Sequence, residues 1–328
     1  GPGEYPYQTS LADQAVETVA YNLKANGYAA HAIHNHRAAF YGRNEVYANL
    51  GFDDFTALEY MPQVQLTPKN WAKDGILTSQ IIKALDTTPD QPDLVFTVSV
   101  QGHGKYPMTQ TLENPAVTVV SCPDEDYRDA VEYYVKQGHE MDAFRQNLIA
   151  ALSRREEKTI LVLYGDHLPA LGLENQDMAS GNLYKTEYVI WDNFGLEKVD
   201  ENLLAYQLSA AALNRLGIST GTFNAFHQYC QQGSHQGFPN AAFSADDANH
   251  MFYVGLAVHL FQHTLGLFAW TSFTAFFAAG CVATFFCHCL SSFLFLFHKA
   301  IDCFVQFFQC FHIPILNCIH NTMLYVIL

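Results

Sequence analysis

Residues 231–328 carry only four charged side chains, Asp246, Asp247, Lys299 and Asp302, with none between Asp247 and Lys299. A stretch of that length cannot cover a globular core of its own with charged surface. Subtracting one lysine and three aspartates from the totals of 17 basic and 32 acidic residues leaves 16 and 29 in residues 1–230, a net −13. That balance suits an ordinary acidic soluble domain. The whole chain, at −15, is a poor nucleic-acid binder, because no basic surface is available to displace phosphate counterions. Two different kinds of sequence are therefore joined near residue 230.

Three readings of the second part compete. Met251–Leu267 and Ala283–Phe297 are apolar enough to suggest a membrane hairpin, although His259, Gln262, His263 and His288 interrupt them. No Lys/Arg cluster flanks either run to set an orientation. Cys287, His288 and Cys289 suggest a metal module, but their spacing matches no zinc-site pattern. The third reading is out-of-frame translation, given 17 of the 25 Phe and eight of the 15 His beyond residue 230. Residues 231–328 are expected to add no functional residue and not to pack as part of the preceding domain. At the other end, Gly1-Pro2-Gly3-Glu4 has no basic or apolar leader character, and the chain is expected to begin inside a longer protein.

Residues 1–217 alternate helical and buried-strand patterns. Ser10 predicts the N-cap of a helix running to Leu23, closed by Gly27. Tyr28–His34 reads as a strand, Asn44–Leu50 as a short helix, and Asp74 or Thr78 to Leu85 as another. The run Leu94–Val100 suits a strand covered on both faces. A long helix follows over Asp124–Arg155, then strands at Thr159–Tyr164 and Tyr184–Trp191 and a helix over Asn202–Leu216. This alternation predicts an α/β domain with a largely parallel sheet and helices on both faces.

Ligands of such sheets gather beyond the strand C-termini. Three predicted strands end there in His34-Asn35-His36, Gln101-Gly102-His103 and Asp166-His167. An aspartate and a histidine together suit Zn²⁺ or Mn²⁺, although such a pair equally serves as a capping carboxylate beside a surface imidazole. His103 lies between two glycines, where a ligand can approach the backbone closely, or where a plain turn would do. His34, His36, Tyr41 and Arg43 crowd one segment: Arg can grip a phosphate with two parallel bonds, and Tyr41 can line a pocket. A solvated basic loop is the alternative there.

These residues carry a resemblance. Gly27-Tyr28-(x)5-His34-(x)5-Phe40-Tyr41-x-Arg43-x-x-Val46-Tyr47, then Ser99-Val-Gln-Gly-His103-Gly-Lys-Tyr-Pro107 and Tyr164-Gly-Asp166-His167-Leu-Pro169, resemble in order the lipoteichoic acid synthase-like branch of the sulfatase/alkaline phosphatase superfamily. The resemblance covers about residues 3–227 and fades after Phe226-His227-Gln228. It implies an N-terminally truncated alkaline-phosphatase-like α/β domain over 1–227, with 228–328 as a separate apolar tail. It further implies a membrane-anchored protein with an extracellular catalytic domain, transferring or hydrolysing phosphoryl-linked groups of glycerophosphate or phosphoethanolamine type on lipid-borne substrates.

By the same resemblance Asp166 and His167 match two ligands of one divalent metal, manganese or zinc, with magnesium as an alternative. His34, Tyr41, Arg43 and His103 match substrate-binding positions, with Arg43 on the phosphate, Tyr41 replacing a tryptophan and His36 standing where some relatives have Asp. The family's metal-binding Glu, its nucleophilic Thr and its membrane helices lie upstream of what matches Gly3-Glu4-Tyr5. Thr9 and Thr18 fall in the wrong place to replace that nucleophile, so no catalytic nucleophile is assigned and the chain is expected to be inactive alone. A non-catalytic module for anionic head groups, and a membrane-tethered protein anchored by its tail, are the other two expectations.

Overall fold

A computed structural model describes residues 9, 13–104, 106–113, 115–122, 124–235 and 322–327. The candidate spans Met251–Leu267 and Ala283–Phe297, the Cys287–Cys289 cluster, Ser10 and Gly1–Glu4 lie outside the described residues. One compact unit comprises Gly3–Ala225 together with Pro314–Leu328, and a second comprises Gly1–Pro2 with Phe226–Ile313.

The first unit is built on a six-stranded sheet of order β2-β1-β3-β6-β4-β5. The strands are β1 (Ala29–His34), β2 (Asp54–Ala57), β3 (Asp93–Val98), β4 (Ile160–Gly165), β5 (Tyr188–Asp192) and β6 (Thr322–Ile327). Helices α1 (Val19–Lys24), α2 (Arg43–Asn49), α3 (Gly75–Leu85), α4 (Arg128–Leu152), α5 (Leu208–Arg215) and α6 (Thr222–His235) complete the order. Strand β1 runs parallel to β2 and β3. Strands β3 and β4 are both antiparallel to β6, so they are parallel to each other. The C-termini of β1, β3 and β4 therefore lie along one edge.

Period-two alternation divides the core. Ile33, Val95 and Leu161 face the layer containing Leu77, Ile81 and Leu85 of α3 and Phe144, Leu148 and Leu152 of α4. Their neighbours turn the other way: Ala30 and Leu94 pack with Ala20, Leu23 and Leu213, Ala32 and Phe96 with Tyr47, and Ile160 and Val162 with Leu208 and Ala212. Strands buried on both faces explain why their sequences read as continuous apolar runs.

Three expectations need correction. Helix α1 begins after Thr18, whose hydroxyl accepts from Tyr21 N, and residues 14–18 are not helical. The side chain of Thr18 also donates to the Leu50 carbonyl at 2.6 Å, which makes it a cap and a tether. Strand β2 and helix α6 go beyond the sequence expectation, since Asp54-Phe-Thr-Ala57 is too short to show a period and α6 lies past the last expected helix, Asn202–Leu216. Most consequentially, Thr322–Ile327 does not stand apart: β6 pairs with β3 on one side and β4 on the other. Its sequence, Thr-Met-Leu-Tyr-Val-Ile, is rich in β-branched and aromatic residues, and backbone pairing does not depend on charge. Among the described residues no helix is long and apolar enough to cross a membrane.

Candidate functional site

The shared edge of β1, β3 and β4 brings the three loops together. His34 ends β1 and is paired in register with Val98, the last residue of β3. From there the rings form a connected series: His34–His36 at 5.8 Å between centroids, His36–Trp71 at 5.4 Å, Trp71–His103 at 5.0 Å and His103–His167 at 6.3 Å. His167 Nε2 is 3.9 Å from Asp166 Oδ1, which closes the series on the carboxylate beyond β4.

Arg43 enters from the other side. Tyr41 and Gly42 both adopt left-handed backbone angles, φ 58° and 62°, and this turn delivers Arg43 as the first residue of α2. A tyrosine rarely holds that conformation, which costs on the order of 1 kcal/mol and is a mark of functional segments. The Arg43 guanidinium stands over the Phe40 and Tyr41 rings, 5.6 and 5.4 Å from their centroids. It is only 5% exposed, and it donates to the Phe40 carbonyl at 3.5 Å. No carboxylate among the described residues lies within ion-pair distance of it. A buried cation in that state is costly and favours an incoming anion.

The imidazoles have their tautomers set by backbone. His34 Nδ1 donates to the Val98 carbonyl at 2.7 Å, His167 Nδ1 to the Leu168 carbonyl at 2.6 Å, and His103 Nδ1 to the Gly104 carbonyl. A carbonyl only accepts, so each Nε2 is left as the lone-pair nitrogen. Burial, followed by the Arg43 charge, holds His34 well below the usual imidazole range, and burial likewise lowers His36 and His103. These rings are neutral at pH 7. His36 Nδ1 is buried with no hydrogen-bond partner among the described residues. Burial also pushes the Asp166 carboxyl up to about 8, against the pull of the His167 amide, which donates to Asp166 Oδ1 at 2.8 Å. A nearby cation would reverse that shift.

All the residues singled out from the sequence, His34, Tyr41, Arg43, His103, Asp166 and His167, thus sit on this one edge. Two others were missed. Trp71 wedges its ring between His36 and His103, and Asp74 lies fully buried behind them. Both occupy the connection before α3, where sequence offers no strand end to draw attention; a tryptophan and an aspartate in one polar loop was the only signal. Among the described residues no group of three or more His, Cys, Asp or Glu is arranged to hold a metal ion.

Parallel strands β1–β4 with helices on both faces and a polar cluster at their C-termini define an α/β domain with its candidate site at the strand ends. The chain belongs to the sulfatase family, whose model matches residues 3–218. It is 34% identical over 169 residues to a Rhizobium meliloti (strain 1021) protein assigned to cyclic beta-1,2-glucan modification, covering 52% of this chain and 26% of that protein. It is 26% identical over 192 residues to lipoteichoic acid synthase 2 of Bacillus subtilis (strain 168), covering 57% and 28%. The chain thus spans about a quarter of the length of these curated relatives. Among solved structures, the Streptococcus pyogenes phosphoglycerol transferase GacH, in complex with sn-glycerol-1-phosphate, superposes with a TM-score of 0.54 at 21% identity, covering 62% of this chain and 53% of that one.

Proposed function

We propose that this chain is part of a metal-dependent phosphotransferase or phosphodiesterase acting at the cell envelope on lipid-borne glycerophosphate- or phosphoethanolamine-type groups. One observation carries the reading: Arg43, buried and without an ion-pair partner among the described residues, stands among His34, His36 and His103. The names of the relatives support it, since one is a lipoteichoic acid synthase and the fold neighbour a phosphoglycerol transferase holding sn-glycerol-1-phosphate.

The roles follow from the groups present. Arg43 offers parallel N–H donors to two phosphate oxygens. Neutral His34 and His103 present Nε2 as hydrogen-bond acceptors for a hydroxyl of the head group. Tyr41, Phe40 and Trp71 supply apolar walls for its carbon skeleton. Asp166 and His167 would hold a divalent ion, manganese or zinc first, through one carboxylate and one imidazole. When bound, that ion lends Lewis acidity to a phosphoryl oxygen. Two ligands are half of the roughly four that a resident ion uses, so the chain alone binds metal weakly and does not turn substrate over. We place the whole protein at the membrane, with this domain on its outer side.

Calorimetry with glycerol phosphate tests the reading. Wild type should bind, and Arg43→Ala should weaken binding about 10- to 100-fold, as expected for loss of charge-assisted bonds. Equal affinity of the two proteins, or no binding by wild type, would refute it. In a parallel Mn²⁺ titration, Asp166→Ala should abolish the weak binding seen with wild type. Tight stoichiometric binding by wild type would contradict the half-built site.

A further inference from the structure

Asp74 departs from what an aspartate before a helix normally does. It is the N-cap residue of α3, yet its side chain makes no capping bond to that helix. Its carboxylate instead reaches toward the strand ends. One oxygen, Oδ1, accepts from Asn35 Nδ2 at 2.9 Å and from the backbone amides of Val100 and Gln101, both at 3.3 Å. Asn35 directly precedes His36, and Gln101 lies two residues before His103. A single buried oxygen is therefore bonded to both loops that carry the pocket histidines.

The rest of the segment reinforces the tie. Asn35 Nδ2 also donates to the Ala72 carbonyl at 3.2 Å, and the Asp74 amide donates to Gln101 Oε1 at 2.7 Å. Gln101 Nε2 then donates to Gln137 Oε1 at 3.1 Å and Glu140 Oε2 at 2.6 Å, anchoring the loop to α4. Lys73 and Lys136 each stand 3.0 Å from Glu140 and balance its charge. Trp71, three residues before Asp74, fills the space between the His36 and His103 rings. Helix capping would need a bond to an amide in the first turn of α3 and none of these cross-loop ones.

We propose that Asp74 is a positioning residue of the pocket: by holding Asn35 and the Val100–Gln101 amides on one carboxylate oxygen, it sets the separation of His36 and His103 on either side of Trp71. The proposal rests on the anion-binding role given above for this pocket, and its effect is on how well the pocket grips a phosphorylated head group. Asp74 itself touches no substrate. Small displacements of positioned groups have large effects on binding and rate, so loss of this tie should be felt well beyond its own bonds.

The test compares Asp74→Asn and Leu77→Ala in the full chain by thermal melting, glycerol phosphate calorimetry and NMR of the imidazole C–H resonances. Leu77 is fully buried in α3 and belongs to the core, so its truncation reports stability alone. Asp74→Asn should weaken binding about 10-fold and shift the His36 and His103 resonances together; Leu77→Ala should lower the melting temperature without either change. A folded Asp74→Asn protein with wild-type affinity and unshifted resonances would overturn the proposal. If Asp74→Asn does not fold, Asn35→Ala takes its place. It removes the side-chain bonds to Asp74 Oδ1 and the Ala72 carbonyl and should shift His36 while leaving His103, and no shift at His36 would overturn the proposal. If wild type fails to bind glycerol phosphate, the functional reading falls, while the paired imidazole shifts still decide the role of Asp74.

Discussion

His31 and His34 sit three residues apart on β1 and titrate in opposite directions. Burial works against the charged form of His31, but hydrogen bonds to Asp54 at 2.7 Å and Asp93 at 3.2 Å outweigh it and push the imidazole up to about 9. His34, buried beside Arg43 with no carboxylate partner among the described residues, is held well below 6.5. The signs follow by linkage. His31 contributes stability that is full below pH 6.5 and is lost as pH rises through about 9. His34 penalises the fold as pH drops below 6.5, where the unfolded chain gains a proton that the native state refuses. His31→Ala should therefore cost about 3 kcal/mol near neutral pH, because it leaves the buried Asp93 carboxylate without its cation and with the Thr88 hydroxyl as its remaining side-chain donor. It should also flatten the alkaline limb of a melting-temperature profile. An alkaline limb unchanged in the variant would contradict this account. None of it was legible in the sequence, since the two aspartates lie 23 and 62 residues from His31 and meet it only through strand register. Residues such as His34, His103 and Asp166 were legible for the converse reason: each is at or just past a strand end, where local pattern and function coincide.

At the scale of elements, the apolar runs of β1, β3 and β4 read correctly because both their faces are covered, and Gly27 marked a true helix end, with its amide donating to the Lys24 carbonyl at 2.9 Å. The start of α1 did not read correctly, because the amphipathic pattern after Ser10 looks the same whether or not a helix forms on it. Two of the glycines that border helices make a quantitative contrast. Gly27 has φ +87° and open space around a would-be Cβ, whereas Gly221, just before α6, has φ +102° and a Cβ there would lie 2.2 Å from Asn22 Oδ1. Gly27→Ala should cost about 1 kcal/mol, the backbone strain alone. Gly221→Ala should cost about 2–3 kcal/mol, since the Asn22 side chain must also move. Denaturant unfolding of the pair checks the order, and a Gly27 variant less stable than the Gly221 variant would contradict it.

For the molecule as a whole, the drop in charge beyond residue 230 suggested a tail with no part in the domain, yet β6 fills the slot between β3 and β4. Composition reports how a segment meets water; it says little about a strand whose backbone is paired on both sides. Removing Pro314–Leu328 leaves both neighbouring strands with open edges, so the shortened protein should melt lower and aggregate more readily than the full chain. Unchanged melting would show that β6 adds nothing to the sheet. The sheet aligns the ends of β1, β3 and β4, and with them Arg43, the histidines and Asp166, along the one edge proposed to bind phosphate. A crystal structure of the chain grown with glycerol phosphate tests that alignment most directly. The account predicts phosphate oxygens within about 3 Å of the Arg43 guanidinium nitrogens, with His103 on the same ligand. A phosphate bound away from Arg43, or an Arg43 that stays unpaired in crystals saturated with the ligand, would contradict it.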